Sequence, residues 1–160
     1  MRQLAIGALA AALLGCASAT LEVTEPVKPI AREVTLSLSA LPGAPMSEAE
    51  QSALRSRLAA RLEEGGVKVV TAPGPRSSIA QGRIADWEPG DRLLRLFVPF
   101  AAGQGSFDST WLVKDEGGGA IGQCRIHGRV PWGGFRGGYD DLLDESGRLL
   151  AACLLNQPPR

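Results

Sequence analysis

The chain has 160 residues, with 17 basic and 17 acidic side chains, one His and three Cys, and 44% of its residues are hydrophobic. Balanced charge leaves no excess of Lys and Arg to neutralise phosphates, which excludes an electrostatic nucleic-acid binder. The apolar fraction excludes a wholly disordered chain, a single His excludes a multi-His metal centre within one copy, and the length suits one domain with a real core.

Arg2 precedes an apolar run from Leu4 to Leu14, then Gly15 and Cys16, and no further charge occurs before Glu22. The run is too short for a membrane span, which takes about 20 residues. Ala, Ser and Thr follow it rather than a basic flank, which is the layout of a secretory leader; a buried N-terminal helix is the alternative. The residues Leu13-Leu14-Gly15-Cys16 resemble the lipobox of bacterial lipoproteins. That resemblance implies removal of residues 1–15 and a diacylglyceryl group on the thiol of Cys16, the new N-terminus. Ala17, where an Asp would favour the inner membrane, implies the outer one. Cleavage after Ala17-Ser18-Ala19 is the competing reading and would give a soluble periplasmic protein.

Residues 16–31 hold Pro26 and Pro29 among Thr, Glu and Lys. They read as an extended tether for a domain over 32–157, with an added edge strand as the other role. Val34 to Ser39 alternates strictly, as a half-buried strand does. Pro42, Gly43 and Pro45 make a turn. Ser47 and Glu50 form a capping box for a helix with Leu54, Leu58 and Leu62 on one stripe and Arg55, Arg57, Arg61 and Glu63 mostly outward. Gly65-Gly66 stops it.

Val67 to Val70 is a short strand, and Thr71 to Ser78, with two Pro and a Gly, is a loop. Ile79 to Trp87 reads as a strand weakened by Gly82, ending in a turn at Glu88–Asp91. Arg92 to Phe100 is apolar on both faces, as a central strand is. Phe107 to Lys114 and Ala120 to Val130 follow as antiparallel neighbours joined by a Gly-rich turn. Pro131 to Gly138 is a loop carrying Trp132, Phe135 and Arg136, a candidate partner-binding tip; the alternative is that the two rings cap the core beneath it. A helix begins near Tyr139 with Asp140 and Asp141 in its first turn. Its Gly147 falls opposite the Leu stripe, and Asn156, Pro158 and Pro159 end it. The fold class is therefore α+β: β–α–β, an antiparallel meander and a C-terminal helix, with the helices on one face of a mixed sheet.

With lipid on Cys16, the remaining Cys124 and Cys153 form an even pair for an oxidising compartment. On a strand over 121–130, Cys124 shares a face with Gly122, Ile126 and Val130. On a helix over 139–155, Cys153 lies in the stripe of Leu142, Leu143, Leu149, Leu150 and Leu154. Two readings stand: a disulfide, worth about 3 kcal/mol if unstrained, or two separate thiols buried as small hydrophobes.

Motifs for chemistry are sparse. Gly117 to Gly122 matches G-x-G-x-x-G but precedes a strand pattern instead of opening a helix. There is no phosphate-loop lysine motif, no G-x-S-x-G elbow and no C-x-x-C pair. His127 shares a face with Gln123, Arg125 and Arg129, which is either an anion site or a solvated polar face. No cofactor and no metal is implied.

The run Ile79-Ala-Gln-Gly82-Arg-Ile84-Ala-Asp86-Trp-Glu-Pro-Gly90-Asp-Arg92, the following Arg95 to Gly105, and Val113-Lys114-Asp115 before a Gly turn together resemble an uncharacterised family of bacterial lipoproteins, the domain of unknown function forty-four-ten. The likeness covers about residues 34–155. Cys124 and Cys153 depart from that pattern, so a bridge does not come from it, and the family brings no activity.

The expected function is a non-enzymatic cell-envelope lipoprotein at the outer membrane, facing the periplasm, with an interaction or assembly-accessory domain. Its partners would be the membrane, through Cys16, and another envelope protein. The alternatives are a small periplasmic hydrolase or transferase using His127 with an Asp and a Ser, or a carrier of a small ligand or lipid between sheet and helices.

Overall fold

Burial alternates residue by residue along the strand Gly105–Lys114, the signature of a sheet with one covered face and one wet face. The structure, a computed structural model, describes residues 18–88, 105–130 and 139–158. Its elements are β1 Ser18–Glu25, β2 Glu33–Ala40, α1 Glu48–Glu64, β3 Lys68–Val70, β4 Ser77–Glu88, β5 Gly105–Lys114, β6 Ala120–Val130 and α2 Tyr139–Leu154. Six strands form one mixed sheet in the order β1-β6-β5-β4-β2-β3. Strands β4, β5 and β6 are the antiparallel meander, and β2 pairs in parallel with both β3 and β4. The α+β class, with its C-terminal helix, is therefore the observed one. The strand expected over Arg92 to Phe100 and the loop 131–138 lie outside the described residues.

Of the two roles read for residues 16–31, tether and added edge strand, the described residues take the edge strand. Residues 18–25 are strand β1, paired antiparallel with β6 from Ser18↔Arg129 to Glu25↔Gln123. Ala19 and Leu21 pack partly buried against the core while Ser18, Thr20 and Glu22 on the other side meet water; Val23, near the strand's end, is exposed. The chain then crosses the end of the sheet. Val27 is buried against Gly122, the Lys28 amide donates to the Ile121 carbonyl at 2.8 Å, and the Ala31 amide donates to the Ser78 hydroxyl at 2.9 Å. The sheet thus takes in Ser18–Glu25, which precede residue 32.

The two helices share the inner face of the sheet. In α1 the Ser47 hydroxyl accepts from the Glu50 amide at 3.3 Å, and the Glu50 carboxylate accepts from the Ser47 amide at 2.7 Å. This closes the capping box that the sequence spells. Leu54, Leu58 and Leu62 are buried beneath it. Both helices end in the same hydrogen-bond pattern: Gly66 donates to Glu63 and Val67 to Leu62, and Asn156 donates to Cys153 and Gln157 to Ala152. This Schellman closure needs a left-handed residue, supplied by Gly66 at φ 82° and Asn156 at φ 51°.

Gly147 lies at the helix seam rather than on an outer face. It is buried, and a Cβ there would meet Arg57 and Leu58 of α1 at 3.4–3.5 Å. The periodicity missed this because α2 packs on two neighbours, the sheet through its Leu stripe and α1 through its flank. Arg57 likewise turns toward α2, where its guanidinium donates to Asp144 at 2.6 Å and to Asp140 at 2.7 Å. Both carboxylates are largely exposed, so each pair is worth about 0–1 kcal/mol and serves chiefly to set the helix register.

These contacts separate two glycines by experiment. In Gly122→Ala the new methyl would overlap the Val27 backbone, and urea denaturation is expected to show a loss of about 1–3 kcal/mol. In Gly147→Ala the methyl finds ordinary contact distances, and the helix gains up to about 1 kcal/mol from lower backbone freedom in the unfolded chain.

Candidate functional site

The uncovered face of the sheet carries the densest set of ionisable side chains away from the helices. Register places Asp108 on β5 directly opposite His127 on β6, and Thr20 and Glu22 on β1 opposite His127 and Arg125. Asp108 accepts two hydrogen bonds from Arg125, Nε to Oδ1 at 3.2 Å and Nη2 to Oδ2 at 3.0 Å. His127 Nδ1 lies 3.4 Å from Asp108 Oδ2, and its Nε2 lies 4.0 Å from Glu22 Oε2. The Asp108 carboxylate holds the Arg125 guanidinium above its ordinary pKa, first by hydrogen bonding and then by its charge. The group is solvated: Arg125 is 43% and His127 42% exposed.

Of the polar set read from the sequence, Arg125 and His127 meet in this group. Its acids, Glu22 and Asp108, were missed. They lie on other strands, and only the pairing of β1 with β6 brings Glu22 near. An Asp–His pair can take up a proton, but hydrolysis also needs a nucleophile within reach. The Thr20 hydroxyl donates to the His127 backbone carbonyl, and the Ser106 hydroxyl donates to Asp86. Among the described residues no hydroxyl bonds the imidazole. No cluster of three or more His, Cys, Asp and Glu among them could hold a metal ion. What the arrangement does do is pair Asp108 with Arg125 across β5 and β6 and set Glu22 of the edge strand β1 beside His127.

Cys124 and Cys153 are joined by a disulfide, with Cα atoms 6.6 Å apart. It links the middle of β6 to the last turn of α2. Cys16, Trp132, Phe135 and Arg136 lie outside the described residues. Three residues that border the undescribed segments form an aromatic cluster. The Trp87 and Phe107 rings meet edge-on at 5.8 Å and the Trp87 and Tyr139 rings at 4.9 Å, while Trp87 Nε1 donates to Glu50 at 3.1 Å. Burial, together with the negative charge of Glu50, pushes the Tyr139 hydroxyl pKa up to about 12.

No family model matches the chain, and no curated protein matches it by sequence. Solved structures match by shape. PelC from Paraburkholderia phytofirmans, a dodecamer, aligns with TM-score 0.60 at 16% identity, over 88% of this chain and 99% of its own. A single-substitution variant of the same dodecamer gives 0.55 at 19% identity, over 88% and 98%. A minor lipoprotein from Acinetobacter baumannii gives 0.47 at 11% identity, over 78% and 93%. At these identities the PelC likeness speaks to the fold alone.

Two outcomes test this geometry. The denatured, unreduced protein is expected to show no titratable thiol at positions 124 and 153, and replacing both by Ala is expected to cost about 3 kcal/mol. A phenol held at a raised pKa keeps its proton longer in the folded state than in the unfolded one. Stability should therefore fall as pH rises from about 10 to about 12, where Tyr139 ionises. Tyr139→Phe should lack that fall when wild type and variant are compared by denaturant titration across the range.

Proposed function

We propose that the chain is a non-enzymatic envelope lipoprotein, acylated on Cys16 at the outer membrane, whose α+β domain faces the periplasm and engages another envelope component. The observation that carries this reading is the uncharged apolar run from Leu4 to Leu14 behind Arg2, closing on Leu13-Leu14-Gly15-Cys16. The disulfide between Cys124 and Cys153 supports it, since such bonds persist in oxidising compartments. No described helix is long and apolar enough to cross a membrane, so a lipid would supply the attachment.

A second reading concerns the partner. Among the described residues the two edge strands of the sheet, β1 and β3, run in opposite senses, because β1 is antiparallel to β6 while β3 runs with β2 and β4. Strand β1 of one copy could thus meet β3 of the next with every Cys16 on the same side. Together with the fold shared with a dodecameric protein, this favours a second copy of the chain as one partner.

Intact-mass analysis of protein from native membranes is the test. A mature chain starting at Cys16 and carrying acyl mass is the expected result, with Cys16→Ser shifting the protein to the soluble fraction. An unmodified start, or an uncleaved leader in the cytosol, would overturn the reading. Crosslinking in native membranes tests the partner: recovery of oligomers of this chain supports self-assembly, and recovery of monomer only removes it.

A further inference from the structure

The position of β1 has a geometric consequence for attachment. Strand β1 begins at Ser18, two residues after Cys16, and two residues span at most about 7 Å. No slack chain separates the thiol from the sheet. Ser18 pairs with Arg129, Arg129 with Ser106, and Ser106 with Glu88. These residues form one row across the same end of four strands. The first turns of α1 and α2 lie at this end too, since α1 follows the end of β2 reached at Ala40 and α2 follows the end of β6 reached at Val130. The turn Asp115–Gly119 and the end of α2 lie at the other. Strand β5, ten residues long, sets the two ends about 30 Å apart.

The geometry points to a domain that stands on end upon the bilayer, with the sheet end that carries the row Ser18–Arg129–Ser106–Glu88 turned toward the lipid headgroups and the strands rising away from them. This rests on the acylation of Cys16 proposed above. The partner chemistry is a lipid surface, engaged through chain connectivity rather than through charge. The exposed charges described at this end are mostly acidic, Glu48, Glu88, Asp140 and Asp141 against Arg129, so the described residues form no basic patch to draw it to anionic lipid. In this posture the open sheet face, with Glu22, Asp108, Arg125 and His127, stands roughly perpendicular to the membrane. It is then reachable from the side by a neighbour anchored in the same leaflet.

The test uses the full acylated protein in phosphatidylcholine vesicles, with a fluorophore on a single added cysteine and the native disulfide left closed. Glu88→Cys reports the row, Leu41→Cys, close to the same end and 43% exposed, guards against one variant misfolding, and Gly117→Cys reports the far turn. A headgroup-attached quencher is expected to reduce emission at positions 88 and 41 at least about threefold more than at 117. Adding anionic lipid should leave that ratio unchanged. Equal quenching at all three positions, or a ratio that rises with anionic lipid, would overturn the posture while leaving acylation intact. Absence of acyl mass on Cys16 would remove the anchor and the posture together, and the intact-mass measurement tells these failures apart.

Discussion

Strand β6 is where the molecule is held together, through what it lacks as much as through what it carries. On its inner face stand Gly122, Cys124, Ile126 and Gly128. Gly122 leaves room for Val27, which lets the chain leaving β1 cross the sheet end; Gly128 leaves room for the Leu142 side chain of α2. Between them Cys124 is bonded to Cys153. The bare positions let β1's exit segment and the C-terminal helix approach within van der Waals distance, and the bond then fixes that approach. Such close seating matters to a sheet covered, among the described residues, by two helices, because dispersion contacts are lost quickly when layers stand apart.

Elements with strong local periodicity were legible in the sequence. The capping box at Ser47 and Glu50, the Leu54–Leu58–Leu62 stripe, the alternating strands of the meander and the two helix stops all follow from interactions among residues near in sequence. The misreadings share a different cause. Strand β1 has the period-two alternation of Ala19, Leu21 and Val23, but its residues are small or polar and two Pro follow, so the local signal is that of a linker. What makes it a strand is pairing with residues more than a hundred positions away. Gly147 and Arg57 were placed outward because a helical stripe reveals one buried side, whereas α2 is covered on a second side by α1.

The polar group on the open face shows the same limit. His127 and Arg125 could be put on one face by counting along a strand. Their acidic partners could not, since Asp108 needs the β5–β6 register and Glu22 needs β1 in the sheet at all. Once those acids are in place, Asp108 is seen to accept from Arg125 across β5 and β6, and Glu22 of β1 to stand 4.0 Å from His127.

The covalent link between β6 and α2 also bears on timing. In a reducing compartment the two thiols would stay open, and the domain would fold without the roughly 3 kcal/mol that the closed bond can contribute. That is a sizeable part of the about 5–15 kcal/mol by which domains outweigh their unfolded chains. On the export proposed above, the chain would thus be held back from premature compaction until it reached an oxidising compartment, where the bond locks the finished shape.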